Sequence, residues 1–466
     1  MKSDVLNAAP LIRVAAKNPE VELEALLQQF SHDDRSEILL AVDFEFCEYW
    51  RDEKPTVALT ALFHLQRHHS SIATAAAVLR TSAFEQCSQS WQASTAAINN
   101  LLNSLPVTVF PLNSAMQLQP VAIPKPWGRE IWYTGIEKRG VAEVGEMNRS
   151  VPLPWLIAIA PQRLLGGVQQ PILLKILDPL PEPIFGDLYF ELHREKQEVY
   201  VVTAIDRSAW PDGAGAIRFG FDSAKRREYA DDKAFVNGYL FSVQTYRALR
   251  QQIDEQIDTM RVRDGVGLND PVSAATLRRW HDEIKPELHA SEAALRAEME
   301  SFTALLPLRV GDVIKVPCLL PHSLQHGVRT VEFQTPVYER LILSFAQKVL
   351  TQTDWDTDEA ATVLQLDPEP AAAFLVTATG AGWTEEQIVV FDDFEVRRLT
   401  LAPMAELPLT LQRSYGLGMA VGQGLLLGDQ RLEPDTALLL PSGWQASSLR
   451  NSGDHVSYFL LAQPLR

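Results

Sequence analysis

The chain is poor in cysteine and in positive charge, and it has no long apolar run. Of its 466 residues only Cys47, Cys87 and Cys318 are cysteines, and no two form a CxxC pair. A disulfide framework is therefore excluded, and a reducing compartment is expected. Lysine and arginine number 42 against 59 acidic residues, a net charge of −17. That deficit excludes passive electrostatic binding to nucleic acid or to an anionic membrane. It leaves room for a small anionic substrate, which a few local cations can hold. No segment approaches the roughly 18 apolar residues of a membrane span, and the opening stretch lacks the apolar core of a signal peptide. No low-complexity tract occurs either. These absences point to a soluble, cytoplasmic globular protein, and a hydrophobic content of 46% agrees with ample cores.

What is present divides by texture. Residues 20–104 read as helices: VELEALLQQF sets Val21, Leu23, Leu26 and Leu27 on one face, and TVALTALFHL continues a buried helical pattern. SIATAAAVLRTSAFEQC and STAAINNLLNSL extend it, with Ser94 as a cap and Pro106 as the stop. From about 119 short β-branched and aromatic runs alternate with Pro, Gly and Asp, the mark of successive strands. Helical periodicity returns over about 234–306, after which strands resume. An N-terminal all-helical domain over 1–118 is expected, followed by a β domain over 119–345 with a helical insertion, then a second β domain over 346–466. The phrases LRVGDVIKVPCLLPH and RLEPDTALLLPSGWQ share an outline of turn, acid, apolar strand, Pro and turn. They mark equivalent pieces of two related barrels.

The chemistry concentrates on His193-x4-Glu198, read as one hairpin, and on His322 at a distant strand end. Two imidazoles and a carboxylate suit Zn²⁺ or another borderline divalent metal, with positions left for water and substrate. Strand alternation places Glu191 beside His193, as a possible fourth ligand. Taken alone, such spacing is weak, because a single histidine near a turn is usually a surface or satisfied core residue. Other candidates are weaker still. His64 and His68, four apart with Arg67 and His69 adjacent, read as a solvated helix face. His281 and His289 read as surface residues of the insertion, and His455 as a turn residue. GLGMAVGQG lacks the following Lys-Ser/Thr of a phosphate loop.

Neighbouring phrases strengthen the set. PKPWG at 124–128, LLGG at 164–167, PILLKILD at 171–178, ELH at 191–193, KQE at 196–198 and GDVIKVPCLLPHSLQHG at 311–327 occur in order. Together they resemble the type I phosphomannose isomerases over about residues 122–365, with the N-terminal region outside the resemblance. The resemblance implies an α+β chain with two cupin-type (jelly-roll) β-barrels, the first holding the metal. It implies His193, Glu198 and His322 as ligands, with Glu191 standing where the family has glutamine. Lys196, Glu332 and Arg340 match its proton-handling and anion-binding residues, and Lys175 the lysine of its apolar strand. Trp127 falls in its opening strand, where it either lines a sugar pocket or packs in the core.

The implied activity is aldose–ketose isomerisation of a sugar phosphate, simplest as mannose 6-phosphate to fructose 6-phosphate, by enediol proton transfer. Three departures bear on it. Tyr189 replaces a serine, only four residues separate His193 from Glu198, and the stretch between Glu332 and Arg340 is short. The PxGxxH phrase also loses its glycine, reading Pro317-Cys318-Leu319-Leu320-Pro321-His322. The alternative expectation is a repurposed, non-catalytic metal-binding cupin that binds a sugar-like ligand, with the N-terminal helices recruiting a protein partner. An iron-dependent cupin oxygenase ranks last, since it favours a histidine-rich site.

Overall fold

The computed structural model describes residues 11–32, 35–69, 71–92, 98–137, 140–168, 170–368 and 373–465. Ser94, expected as a helix cap, lies outside them. The fold is mixed α+β, dominated by sheets. The chain divides into two compact units, one of residues 1–121, 132–173 and 374–466, the other of 122–131 and 174–373. No helix among the described residues is long and apolar enough to cross a membrane.

The N-terminal region of the first unit is not all-helical. Strands Leu11–Ala15, Glu37–Cys47, Thr56–His68, Ser71–Arg80 and Phe110–Pro111 form one five-stranded sheet in that order. Helices Pro19–Phe30, Thr81–Gln92 and Ile98–Ser104 accompany it. The helices expected over TVALTALFHL and SIATAAAVLR are thus two paired strands. The reason lies in burial: from Leu59 to Leu65 every residue of the strand is buried. A strand covered on both faces shows no alternation, and a continuous apolar run then reads equally as a buried helix. His64 is consequently no solvated helix face; it is buried, with its Nε2 hydrogen-bonded to Glu37 Oε2 at 3.0 Å. This unit also has a nine-stranded sheet, which joins Met116–Gln119, Glu143–Val144 and Val151–Pro152 to C-terminal strands, and a four-stranded C-terminal sheet. Leu399, Leu407, Leu425, Leu438 and Phe459 share the core they enclose.

The second unit carries the candidate site. Its six-stranded sheet runs Val313–Val316, Glu198–Ile205, Val328–Gln334, Leu173–Pro179, Gly128–Trp132, Val121–Lys125. Its five-stranded sheet runs Thr303–Leu308, Gly215–Phe221, His322–Leu324, Phe190–Leu192, Leu341–Ser344. Neither sheet closes into a barrel. They form a sandwich whose core takes Leu177, Tyr200, Val202 and Val316 from one sheet and Ile217, Leu324 and Ile342 from the other. Phe190–Leu192 and Glu198–Ile205 belong to different sheets, so His193 and Glu198 do not share a hairpin. The four residues between them cross from sheet to sheet, which places the two side chains at the mouth of the sandwich.

Helices Asp232–Arg263, Ala274–Asp282 and Pro286–Glu300 lie between strands of the five-stranded sheet in sequence. Asp231 and Ser273 cap the first two by accepting backbone N–H bonds. Ile253 and Ile257, one turn apart, pack with Leu277 and Trp280. His281 and His289 are half-buried rather than surface residues, their rings stacked at 5.5 Å.

Candidate metal centre

Strand register brings the chemistry together. Glu191 pairs with His322 in the five-stranded sheet. In the facing sheet Glu198 pairs with Gln334, and Tyr200 with Glu332. Alternation then puts Glu198 and Tyr200 on one face of their strand. His193 follows its strand directly, and its backbone carbonyl accepts from Leu319 N at 2.6 Å. Leu319 occupies the position of the lost glycine and retains the left-handed conformation, with φ of 66°. That conformation costs a non-glycine residue on the order of 1–2 kcal/mol. The turn leading to His322 is thus kept without the residue that adopts it most easily.

Both imidazoles tie their outer nitrogens to backbone carbonyls. His193 Nδ1 meets the Glu339 carbonyl at 2.9 Å, and His322 Nδ1 the Leu320 carbonyl at 3.1 Å. A carbonyl oxygen only accepts, so both Nδ1 atoms carry a proton, and in the neutral rings both Nε2 atoms present lone pairs. Those lone pairs face Glu198 Oε2, at 3.5 Å from His193 and 3.2 Å from His322. Neither Nε2 atom makes a hydrogen bond, and both rings are almost fully buried. Three electron-rich atoms within 4.8 Å of one another repel unless a cation lies between them. The separations also approach the edge of about 3.4 Å expected for a tetrahedron with ~2.1 Å bonds. The donor set therefore fits a divalent metal.

A row of buried charges leads to these ligands across the six-stranded sheet. Lys125 pairs with Glu130 at 3.0 Å, Glu130 with Lys175 at 3.9 Å, and Lys175 with Glu332 at 3.3 Å. Lys196 holds the second oxygen of Glu198 at 2.5 Å. Burial and the nearby Glu198 carboxylate push the Glu332 carboxyl well above the usual range, and Lys175 and Lys196 oppose without overcoming them. Burial alone would lower Lys175, but Glu130, Glu332 and Glu198 outweigh it and hold the ammonium above its ordinary value. For Glu198, burial is overcome chiefly by the Lys196 ammonium, and its carboxyl sits well below the ordinary range. Two carboxyls on one sheet face are thus driven apart, the proton affinity of Glu198 lowered and that of Glu332 raised.

The remaining expected residues lie around this centre. Glu191 Oε1 is 3.9 Å from His193 Nε2, and its Oε2 is 3.9 Å from Arg340. Glu191 stands between the ligand cluster and the arginine, outside the three-residue group. The Arg340 guanidinium lies 4.7 Å over the Tyr189 ring and donates to Thr351 Oγ1 at 2.7 Å. Trp127 is enclosed in the apolar core of the sandwich.

Sequence reasoning missed four residues here. Tyr200 donates its phenol to Glu198 Oε2 at 2.8 Å, a placement that the two-residue strand period would have exposed. Glu130 and Lys125, in PKPWGRE, extend the charge row. Glu339 accepts three consecutive backbone N–H bonds from Arg194, Glu195 and Lys196 and so shapes the crossover. Nothing in its sequence context signals that role.

No profile of a known protein family matches the sequence, and no curated protein does. Solved structures do. The mannose 6-phosphate isomerase of Bacillus subtilis superposes with a TM-score of 0.51 at 14% identity, over 75% of this chain and 99% of that one. A zinc-bound holo mannose 6-phosphate isomerase gives 0.51 at 13% identity, over 74% and 99%. A histidine-to-alanine variant of the phosphomannose isomerase from Salmonella typhimurium gives 0.50 at 12% identity, over 75% and 99%. The chain has a mannose 6-phosphate isomerase-like fold.

Proposed function

We propose that this chain is a metal-dependent aldose–ketose isomerase acting on a phosphorylated sugar, most simply mannose 6-phosphate, on a divergent cupin sandwich. The convergence of His193 Nε2, His322 Nε2 and Glu198 Oε2, with both outer nitrogens tied to carbonyls, carries this reading. These three residues would hold Zn²⁺ or another divalent metal, with Glu191 at its margin. When bound, the metal supplies Lewis acidity toward the sugar oxygens and the enediolate.

The protein's own residues supply the rest. Glu332, protonated in its buried position, gives a proton to a sugar oxygen, and the Lys175 ammonium stabilises the carboxylate left behind. That carboxylate takes the C2 proton, which gives the enediol; returning this proton to C1 while the C2 hydroxyl proton passes to the same carboxylate gives the ketose. Lys196 keeps Glu198 ionised and oriented, so the ligand set stays assembled. Arg340, a quarter exposed, offers a permanent charge to the phosphate.

One observation favours the second reading, a repurposed cupin that binds a sugar-like ligand without turnover. Arg340 is already engaged by Glu191 and Tyr189, which would compete with a phosphate. Metal analysis of the purified protein, paired with an isomerase assay on mannose 6-phosphate with and without chelator, separates the two. Chelator-sensitive turnover supports the isomerase. Stoichiometric metal without turnover leaves the repurposed cupin, and absence of metal removes both.

A further inference from the structure

A cavity of about 480 Å³ lies between the helix Asp232–Arg263 and the segment 348–355, and its lining contains none of the metal-centre residues. Its volume is within the roughly 300–1,000 Å³ of small-molecule sites. Three ion pairs occupy most of the charges around it, and the Glu255 carboxylate stands outside them. Arg250 bonds Asp254 at 2.6 Å, Lys348 bonds Asp258 at 2.6 Å, and Arg247 bonds Asp354 at 2.5 Å. What remains for a ligand is hydrogen-bonding surface that includes the Gln251 and Asn269 amides and the acceptor oxygens of Glu255.

A second, inner hollow of about 20 Å³ shares Arg250, Lys348 and Leu350 with this cavity. Such a volume holds one oxygen-sized group. Gln347 lines it, only 5% exposed. Its amide nitrogen donates to the Ile184 and Phe185 carbonyls, and its Oε1 has no hydrogen-bond partner. Arg261, 3% exposed, lines the same hollow, and its Nε makes no hydrogen bond either. One acceptor and one donor without hydrogen-bond partners thus belong to residues that line one small hollow. A phosphate or carboxylate oxygen has no proton for Gln347, and an ammonium has no lone pair for Arg261. A hydroxyl satisfies both.

We propose that this is a second ligand site, for an uncharged polyol such as a free hexose, with one hydroxyl seated in the inner hollow. The site does not rest on the isomerase reading. The alternative occupant of the hollow is a single trapped water.

Saturation-transfer NMR with D-mannose and D-glucose as probes tests the proposal on the full chain. Binding is expected in the wild type and unchanged in His322→Ala. Asn269→Ala, an exposed change, should weaken it about two- to ten-fold, the range of one hydrogen bond. Gln347→Met should abolish it while the melting curve shows a folded protein, and Asn269→Ala decides if that variant does not fold. Absence of hexose binding would leave only the trapped water. Binding lost in His322→Ala but unaltered in Asn269→Ala would place the sugar at the metal centre instead. Either result overturns the second site.

Discussion

Glu332 and Lys175 meet at 3.3 Å on adjacent strands, yet burial and Glu198 keep the carboxyl's affinity for its proton high. A carboxyl with raised proton affinity and an ammonium beside it suits reversible proton transfer, since either state has a compensating neighbour. Glu332→Gln preserves shape and removes the exchangeable proton. In the isomerase reading it should lower kcat by roughly 10²–10⁴-fold. Bound metal, measured by inductively coupled plasma mass spectrometry, should not change. Loss of metal in step with activity would mean that Glu332 acts on the ligands and not on the sugar.

His322→Ala removes one of three convergent donors. The wild type should gain thermal stability on addition of Zn²⁺, because a ligand bound only by the native state raises the melting temperature. The variant should lose that gain and its bound metal. A zinc-dependent shift of unchanged size in His322→Ala would contradict the ligand assignment.

Much of this site was legible because its parts recur as short ordered phrases: ELH, KQE and PCLLPH name the residues that the sandwich brings together. Their relation in space was less legible. His193 and Glu198 look like one hairpin, since four residues commonly join antiparallel strands, but that link crosses between sheets. The charge row from Lys125 to Glu332 was invisible, because it depends on which strands are neighbours, and strand order is not local information. The N-terminal sheet was misread for a different reason. The run Leu59–Leu65 is buried on both faces, so its periodicity carries no signal, and only pairing with Glu37–Cys47 reveals a strand.

Tyr200→Phe should separate orientation from ligation. Its hydroxyl bonds Glu198 Oε2, the oxygen that faces both histidines, and lies outside the three-residue ligand group. Removing such a supporting bond typically costs about 10–100-fold in metal affinity. Competition with a zinc chromophore should show that loss, while circular dichroism stays unchanged. Unaltered affinity would show that packing alone fixes Glu198.

The pH dependence of stability should show His281. Burial, with the Arg250 charge and His289 adding to it, lowers its pKa to about 4 in the native protein. In the unfolded chain it returns to about 6.5. Between these values the unfolded state binds more protons than the native state, so stability rises with pH across that window. Cooling the comparison to one residue requires His281→Phe, which keeps an aromatic ring against Phe185, whose ring lies 5.3 Å from that of His281. From pH 6.5 down to pH 4 the wild type should lose up to about 3 kcal/mol that the variant does not lose. Urea midpoints measured at half-unit steps between pH 4 and 7 provide the test. Parallel curves for the two proteins would mean that His281 is protonated as readily in the fold as outside it.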